Sequence, residues 1–314
     1  MKALLINYYT DQLQLSETEL PETTNDEVLV RVYAASVNHI DYLKAEGVLQ
    51  QFYPLNFPWI PGRDFAGVVV GIGKAVTLFK VGDAVYGDNV LGGAYAEFVT
   101  VNQNALAVKP ETVSFEEAAS IPVSAETAYQ ALFEHAKITE SQTVLIAGAA
   151  GSVGGFAIQL AKLHGAKVIA FADEKYNNYL TSLGADSVVN TLADGTINGV
   201  DVAIDLIGGE IQHQLYKMLK KDGVLIATNL PPQEDVAKSY GVRAFMMHQK
   251  PTREGLTHIA RLIDEGKLTT AIATVYPLEK GVEAWERLKE NYNHSLSAPS
   301  GKTNGKIVLS ISEL

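Results

Sequence analysis

Residues 144–162 read VLIAGAAGSVGGFAIQLAK, and this run decides the architecture. Val144, Leu145 and Ile146 form a short, β-rich apolar stretch that halts at glycine. From Val153 the period changes. Val153, Phe156, Ala157, Leu160 and Ala161 recur at i, i+3, i+4, i+7 and i+8, which is the stripe of a packed helix. Between strand and helix, Ala149-Ala150-Gly151-Ser152-Val153-Gly154 is a dinucleotide fingerprint with alanine at its first glycine. Side chains this small let the backbone N–H groups of Gly151, Ser152, Val153 and Gly154 approach a pyrophosphate at the positive end of the helix. The alternative for these four residues is plain close packing of helix on strand. A glycine triplet alone says little, but a strand before and a helix after is the context the motif requires. A nicotinamide dinucleotide is the expected ligand.

A second strand, Lys167–Phe171, follows the Gly165-Ala166 turn. Sites for NAD place an acidic residue at the tip of this strand, where it accepts hydrogen bonds from the adenosine ribose. Here Ala172 stands at the tip, with Asp173 next and Lys175 close behind. A small residue leaves room for a 2′-phosphate, and a lysine pairs with it. Asp173 argues the other way unless it turns to solvent, and Lys175 is equally readable as a surface lysine. The balance favours NADP over NAD.

The chain has 314 residues, 47% of them apolar, enough for two cores flanking a cleft. With no cysteine it has no disulfide, no catalytic thiol and no thiolate-ligated metal. A net charge of −11 argues against nucleic-acid partners. The start, MKALLINYYT, reads as a first strand and not as a signal peptide, and the glycines and Gln159 of 144–162 argue against a membrane span. A cytoplasmic protein is the default expectation.

Three zones follow along the chain. Up to about residue 120, short strands alternate with glycine turns (Glu27–Val37, Phe65–Ile72, Ala84–Tyr86, Ala94–Val101), broken by Pro54, Pro58 and Pro61. From about 121 to 250, strand patterns at 143–147, 167–171, 187–189, 200–204 and 223–227 alternate with helical ones at 151–164, 174–182 and 210–220. This alternation predicts a doubly wound parallel sheet of Rossmann type in an α/β protein. The last zone predicts helices at Thr252–Glu265 and Leu278–Asn291 and strands at Ile272–Tyr276 and Lys306–Ser312. The stretch 230–250 is too irregular to read, and 293–305 reads as a polar loop.

The ordered set ASVNHIDYLKAEG (35–47), PGRDFAGVVVGIG (61–73), VGDAVYG (81–87), GGAYAEFV (92–99) and IPVSAETAYQAL (121–132) leads into the fingerprint. LGADSVVN (183–190), IDLIGG (204–209) and GKIVLSIS (305–312) follow it. Together they resemble the medium-chain dehydrogenase/reductase superfamily, in particular its zinc-free quinone oxidoreductase branch. The resemblance implies a GroES-like catalytic domain made of 1–121 and 252–314, and a Rossmann dinucleotide-binding domain of 122–251. It implies an active cleft between them and a homodimer. It also implies an NADPH-dependent enzyme passing hydride to a quinone or enone acceptor. Competing readings are an enoyl-thioester reductase of the same fold and a nucleotide-binding redox sensor with little turnover.

In zinc-dependent relatives a cysteine stands at the position of Asn38, a histidine at Arg63 and a third ligand, a cysteine, near Val123. Asn and Val are poor zinc donors, so no metal is expected. By the same resemblance, Asn38 and Asp41 form an N-x-x-D element lining the cleft, though Asp41 equally reads as the cap of a short helix. Tyr42 is the nearest proton donor, with Tyr53 or water as alternatives. Thr127 bonds the nicotinamide carboxamide, or else its own helix. Ile207 and Gly208 pass beside the ribose, while Lys302 and Asn304 reach the cofactor or else belong to an exposed loop. Arg63 and Asp64 are candidates for a structural pair, with Asp64 read as structural and the role of Arg63 left open.

Overall fold

A computed structural model describes residues 1–192, 195, 197–297 and 305–312 of the chain. The first zone supplies β1 (Lys2–Leu5), β2 (Gln14–Glu17), β3 (Glu27–Val37), α1 (His39–Ala45), β4 (Asp64–Ile72), β5 (Ala84–Asp88), β6 (Phe98–Asn102), β7 (Leu106–Val108) and α2 (Phe115–Ala119). In β3, Val28, Val30, Val32 and Ala34 are buried while the residues between them are partly or fully exposed, so one face meets a core. The expected strand at Ala94–Val101 begins only at Phe98. Ahead of it the backbone serves several partners: Ala94 and Tyr95 donate to Gly62 and Pro61, Tyr95 accepts from Leu4, and Glu97 donates to Lys2. No single ladder forms there.

The middle zone supplies α3 (Pro122–Tyr129), β8 (Thr143–Ala147), α4 (Ser152–Leu163), β9 (Lys167–Phe171), α5 (Asn177–Ser182), β10 (Ser187–Val189), β11 (Val200–Asp205), α6 (Glu210–Met218), β12 (Leu219–Ala227), α7 (Glu234–Ser239) and β13 (Arg243–Met246). Six of these elements form a parallel sheet in the order β10-β9-β8-β11-β12-β13. The order reverses between β8 and β11, and such a switch point opens a crevice at the strands' carboxyl ends. Val144 to Ala147 have no exposed surface, because helices cover both faces of the central strand. β13 is the strand the sequence hid. It is a four-residue edge whose side chains are all partly or fully exposed, so it carries no burial pattern to read.

The last zone supplies α8 (Arg253–Asp264), β14 (Ile272–Pro277), α9 (Gly281–Ser297) and β15 (Lys306–Ser310). β15 inserts between β14 and β3, parallel to the first and antiparallel to the second. A seven-stranded sheet, β14-β15-β3-β4-β5-β7 with β6 on β3, therefore joins both ends of the chain. Among the described residues no helix is long and apolar enough to cross a membrane.

Candidate active site

The fingerprint lies at the carboxyl end of β8. Gly148, at φ +81°, makes the turn, and the N–H groups of Gly148 and Ala149 both donate to the Phe171 carbonyl at 3.3 and 3.2 Å. The left-handed residue thus falls one place before the first fingerprint position, which is why alanine serves there. Gly151 begins α4 in extended conformation, and no side chain caps the helix. Its first N–H groups, at Ser152, Val153 and Gly154, are left for a ligand. A Cβ on Gly154 would lie 2.5 Å from the Ala149 carbonyl oxygen, so this glycine serves helix-on-strand packing. A Cβ on Gly151 would meet only the Gly148 oxygen at 3.4 Å, so packing does not require a glycine there. The cradle fits a pyrophosphate.

Across the crevice, β11 ends in buried Asp205. Its Oδ1 accepts from the N–H groups of Ile207 and Gly208 at 3.0 and 2.8 Å, and its Oδ2 accepts from Gln212 at 2.9 Å. The Ile207-Gly208 turn is thereby fixed opposite Gly148, whose Cβ would touch the Ile207 side chain at 3.2 Å. At the adenosine end Ala172 is buried, as its place at a strand tip predicts. Asp173 accepts from the Lys175 N–H at 3.2 Å, and the Lys175 ammonium lies 3.9 Å from its other oxygen and 4.9 Å from the centre of the Tyr176 ring. The two expected cofactor residues face each other across a half-exposed pair.

The three expected catalytic residues part company. Asn38 is buried with its amide fully engaged: Nδ2 donates to Asp64 at 3.0 Å, and Oδ1 accepts from Lys306. Asp41 has no exposed surface. One of its oxygens accepts from Tyr95 at 3.2 Å, the other has no hydrogen-bond partner among the described residues, and burial pushes its carboxyl up to about 6. Tyr42 packs edge-on against Trp285 of α9, with ring centres 6.0 Å apart. The Thr127 hydroxyl donates to the Val123 carbonyl at 2.6 Å, leaving its oxygen free only as an acceptor. Lys302 and Asn304 lie outside the described residues.

Arg63 and Asp64 do not pair with each other. Arg63 grips Asp88 through two bonds, at 2.7 and 2.5 Å, and donates to Gln249 at 2.7 Å. Gln249 donates onward to Glu126 at 3.1 Å, and Glu126 also accepts from the Thr252 backbone and hydroxyl, both at 3.0 Å. Burial pushes Glu126 up to about 8. Asp64 accepts from Ser36 at 2.8 Å, from Asn38, and from the Val123 N–H at 2.8 Å, with the Lys306 ammonium 3.5 Å away. Burial raises the Asp64 carboxyl and lowers the Lys306 ammonium, while the charge of each partner favours the ionised pair. The four donors around Asp64, the Lys306 ammonium among them, favour its carboxylate form against burial and the nearby Asp88.

The positions of Asn38, Arg63 and Val123 are therefore stitched shut by buried ion pairs. An amide, a guanidinium and an alkyl group do not fit zinc. Among the described residues no group of three or more His, Asp or Glu is placed to hold a metal. Lys306, Glu126, Asp88 and Gln249 were not anticipated from sequence. Their partners lie 25 to 268 residues away in the chain, so only the fold reveals them.

Residues 24–111 match the alcohol dehydrogenase GroES-like domain, and residues 183–309 match the model described as zinc-binding dehydrogenase. A chloroplastic quinone-oxidoreductase homolog of Spinacia oleracea is 32% identical over 96% of this chain and 94% of its own. The 2-methylene-furan-3-one reductase of Solanum lycopersicum is 32% identical over 95% of this chain and 76% of its own. The quinone oxidoreductase structure from Coxiella burnetii superposes with a TM-score of 0.88 at 32% identity, covering 99% of both chains.

Proposed function

Because the chain belongs to the quinone oxidoreductase branch of the medium-chain dehydrogenase/reductase superfamily, we propose that it is an NADPH-dependent, zinc-independent enzyme reducing quinones or α,β-unsaturated carbonyls. One observation carries this reading. An uncapped α4 N-terminus lies at the switch point of the parallel sheet, while the side chains at the metal-ligand positions Asn38 and Arg63 are engaged with buried carboxylates. Positions so engaged offer no Lewis acid to polarise an isolated carbonyl. A conjugated acceptor needs less help, because it spreads incoming charge over its π-system. A relative named for reduction of a methylene-furanone supports the enone class.

Bound in the crevice, reduced nicotinamide supplies the hydride. The chain's residues bind, orient and exclude water. Amides of Ser152, Val153 and Gly154 hold the pyrophosphate, the expected Gly151 N–H being spent on the Gly148 carbonyl at 3.1 Å, and the Asp205-braced turn at Ile207 and Gly208 flanks the ribose. Lys175 exchanges its contact with Asp173 for the 2′-phosphate, a stronger charge-assisted partner. Asp64 fixes the first turn of α3 through Val123, and that helix presents Thr127 to the carboxamide. With Tyr42 held against Trp285, solvent delivers the proton. The enzyme is read as a cytoplasmic homodimer, which light scattering checks.

The test is oxidation of NADPH and NADH at matched concentration, with an ortho-quinone and an enone as acceptors, before and after exhaustive chelation. Chelation-resistant turnover that prefers NADPH is expected. Preference for NADH would reassign specificity to Asp173, loss on chelation would overturn metal independence, and no turnover with either acceptor would overturn the acceptor class.

A further inference from the structure

The three most exposed large apolar side chains among the described residues are Leu91 (79%), Phe52 (71%) and Val48 (66%). All three stand on two loops, 47–60 and 89–93, that are locked together. Lys44, at the end of α1, is buried, donates to the Val90 carbonyl at 2.6 Å and lies 4.8 Å from the centre of the Tyr53 ring. The Trp59 indole donates to the Leu91 carbonyl at 2.8 Å, and Gly93 donates to Ile60 at 2.8 Å. Turn hydrogen bonds from Gln50 to Gly47 and from Phe52 and Tyr53 to Leu49 hold the first loop in shape. These apolar groups are displayed on ordered backbone.

The loops also adjoin the buried Arg63–Asp88 pair. The second follows directly from Asp88, the partner of Arg63, and Asn89 donates to the Arg63 carbonyl at 2.9 Å. The ammonium of Lys44 feels the charges of Arg63 and Asp88. The apolar rim therefore begins where that buried pair ends. We propose that Val48, Phe52 and Leu91 form the tail subsite of the acceptor, which is a quinone or enone head carried on an uncharged alkyl chain. This inference rests on the reading of the cleft as an acceptor site.

Other occupants fit less well. Three side chains expose at most a few hundred Å², well short of the about 800 Å² per partner of a stable dimer. Neither loop carries a lysine or arginine, and the chain's net charge is −11, so an anionic membrane surface is repelled. An alkyl chain matches both the area and the absence of charge.

The experiment compares kcat/KM for benzoquinones bearing methyl, butyl, heptyl and decyl chains, in the wild type and in Phe52→Ser/Leu91→Ser. The expected result is a rise of at least roughly tenfold from methyl to heptyl in the wild type. In the variant the heptyl-to-methyl ratio falls toward one. A flat wild-type series, or an unchanged ratio in the variant, would overturn the subsite. If no quinone is turned over, the acceptor reading has failed on its own. Tryptophan fluorescence titration with the matching alkylhydroquinones then decides the subsite by the same chain-length criterion. Wild-type protein co-sedimenting with neutral phosphatidylcholine vesicles, with no chain-length dependence, would assign the rim to a membrane instead.

Discussion

Gly151 and Gly154 are three residues apart and answer to different neighbours. The Cβ of Gly154→Ala collides with the Ala149 carbonyl, so this variant is expected to lose about 1–3 kcal/mol of stability, read by denaturant unfolding. The Cβ of Gly151→Ala meets only ordinary contact. Its unfolding midpoint should stay near wild type while cofactor binds several-fold more weakly in a titration. Lys175→Ala gives a matching test at the far end of the cofactor: the thermal shift produced by NADPH should shrink and that produced by NADH should persist. The strand–turn–helix of the fingerprint and the buried strand tip at Ala172 were legible because each is a local signal, while the role given to Lys175 awaits that test. The other half was not. Asn38 was read as a cleft group, but its amide is spent on Asp64 and Lys306, and Lys306 looked like the polar start of an apolar strand. A residue whose role depends on a partner 268 positions away carries no local mark.

At the scale of elements, α3 is held at two points by consecutive residues, Arg63 just before β4 and Asp64 at its start. Asp64 takes its first-turn N–H at Val123, and Arg63 reaches Glu126 through Gln249. The cost is a carboxyl sealed from water. Glu126 is held at about 8 when folded, against 4.5 for an ordinary glutamate, so the folded chain keeps a proton that the unfolded chain releases between those values. Its contribution is complete below about pH 4.5 and is lost as the pH rises through about 8. Stability of the wild type should therefore fall from pH 5 to pH 8, and Glu126→Gln should flatten that slope whatever its absolute stability, as measured by chemical denaturation at each pH. Elements with strong periodicity, such as β3 and α4, emerged within a residue or two of their expected bounds. β13 and the turn at 94–97 did not, because an edge strand and a backbone shared among several partners leave no alternation to find.

For the molecule as a whole, the decisive topological fact is the seat of β15 between β14 and β3. Removing residues 306–314 takes a strand out of the sheet and strips Asp64 and Asn38 of their cation. The truncated chain should lose its cooperative unfolding transition and become sensitive to limited proteolysis within the first 110 residues. The same seat sets a schedule on the ribosome. All six strands of the parallel sheet lie in one continuous stretch, Thr143 to Met246, and can assemble as soon as that stretch has emerged. β4 and β6 pair with β3 early, but the 34–37 end of its other edge pairs with β15, which begins at Lys306, so at about 5–20 residues per second that end waits on the order of tens of seconds for a partner. Throughout that wait the nascent chain displays a short apolar segment, 34–37, with one unpaired edge, while the rest of β3 is already laddered to β4 and β6, so any chaperone contact there is confined to four residues.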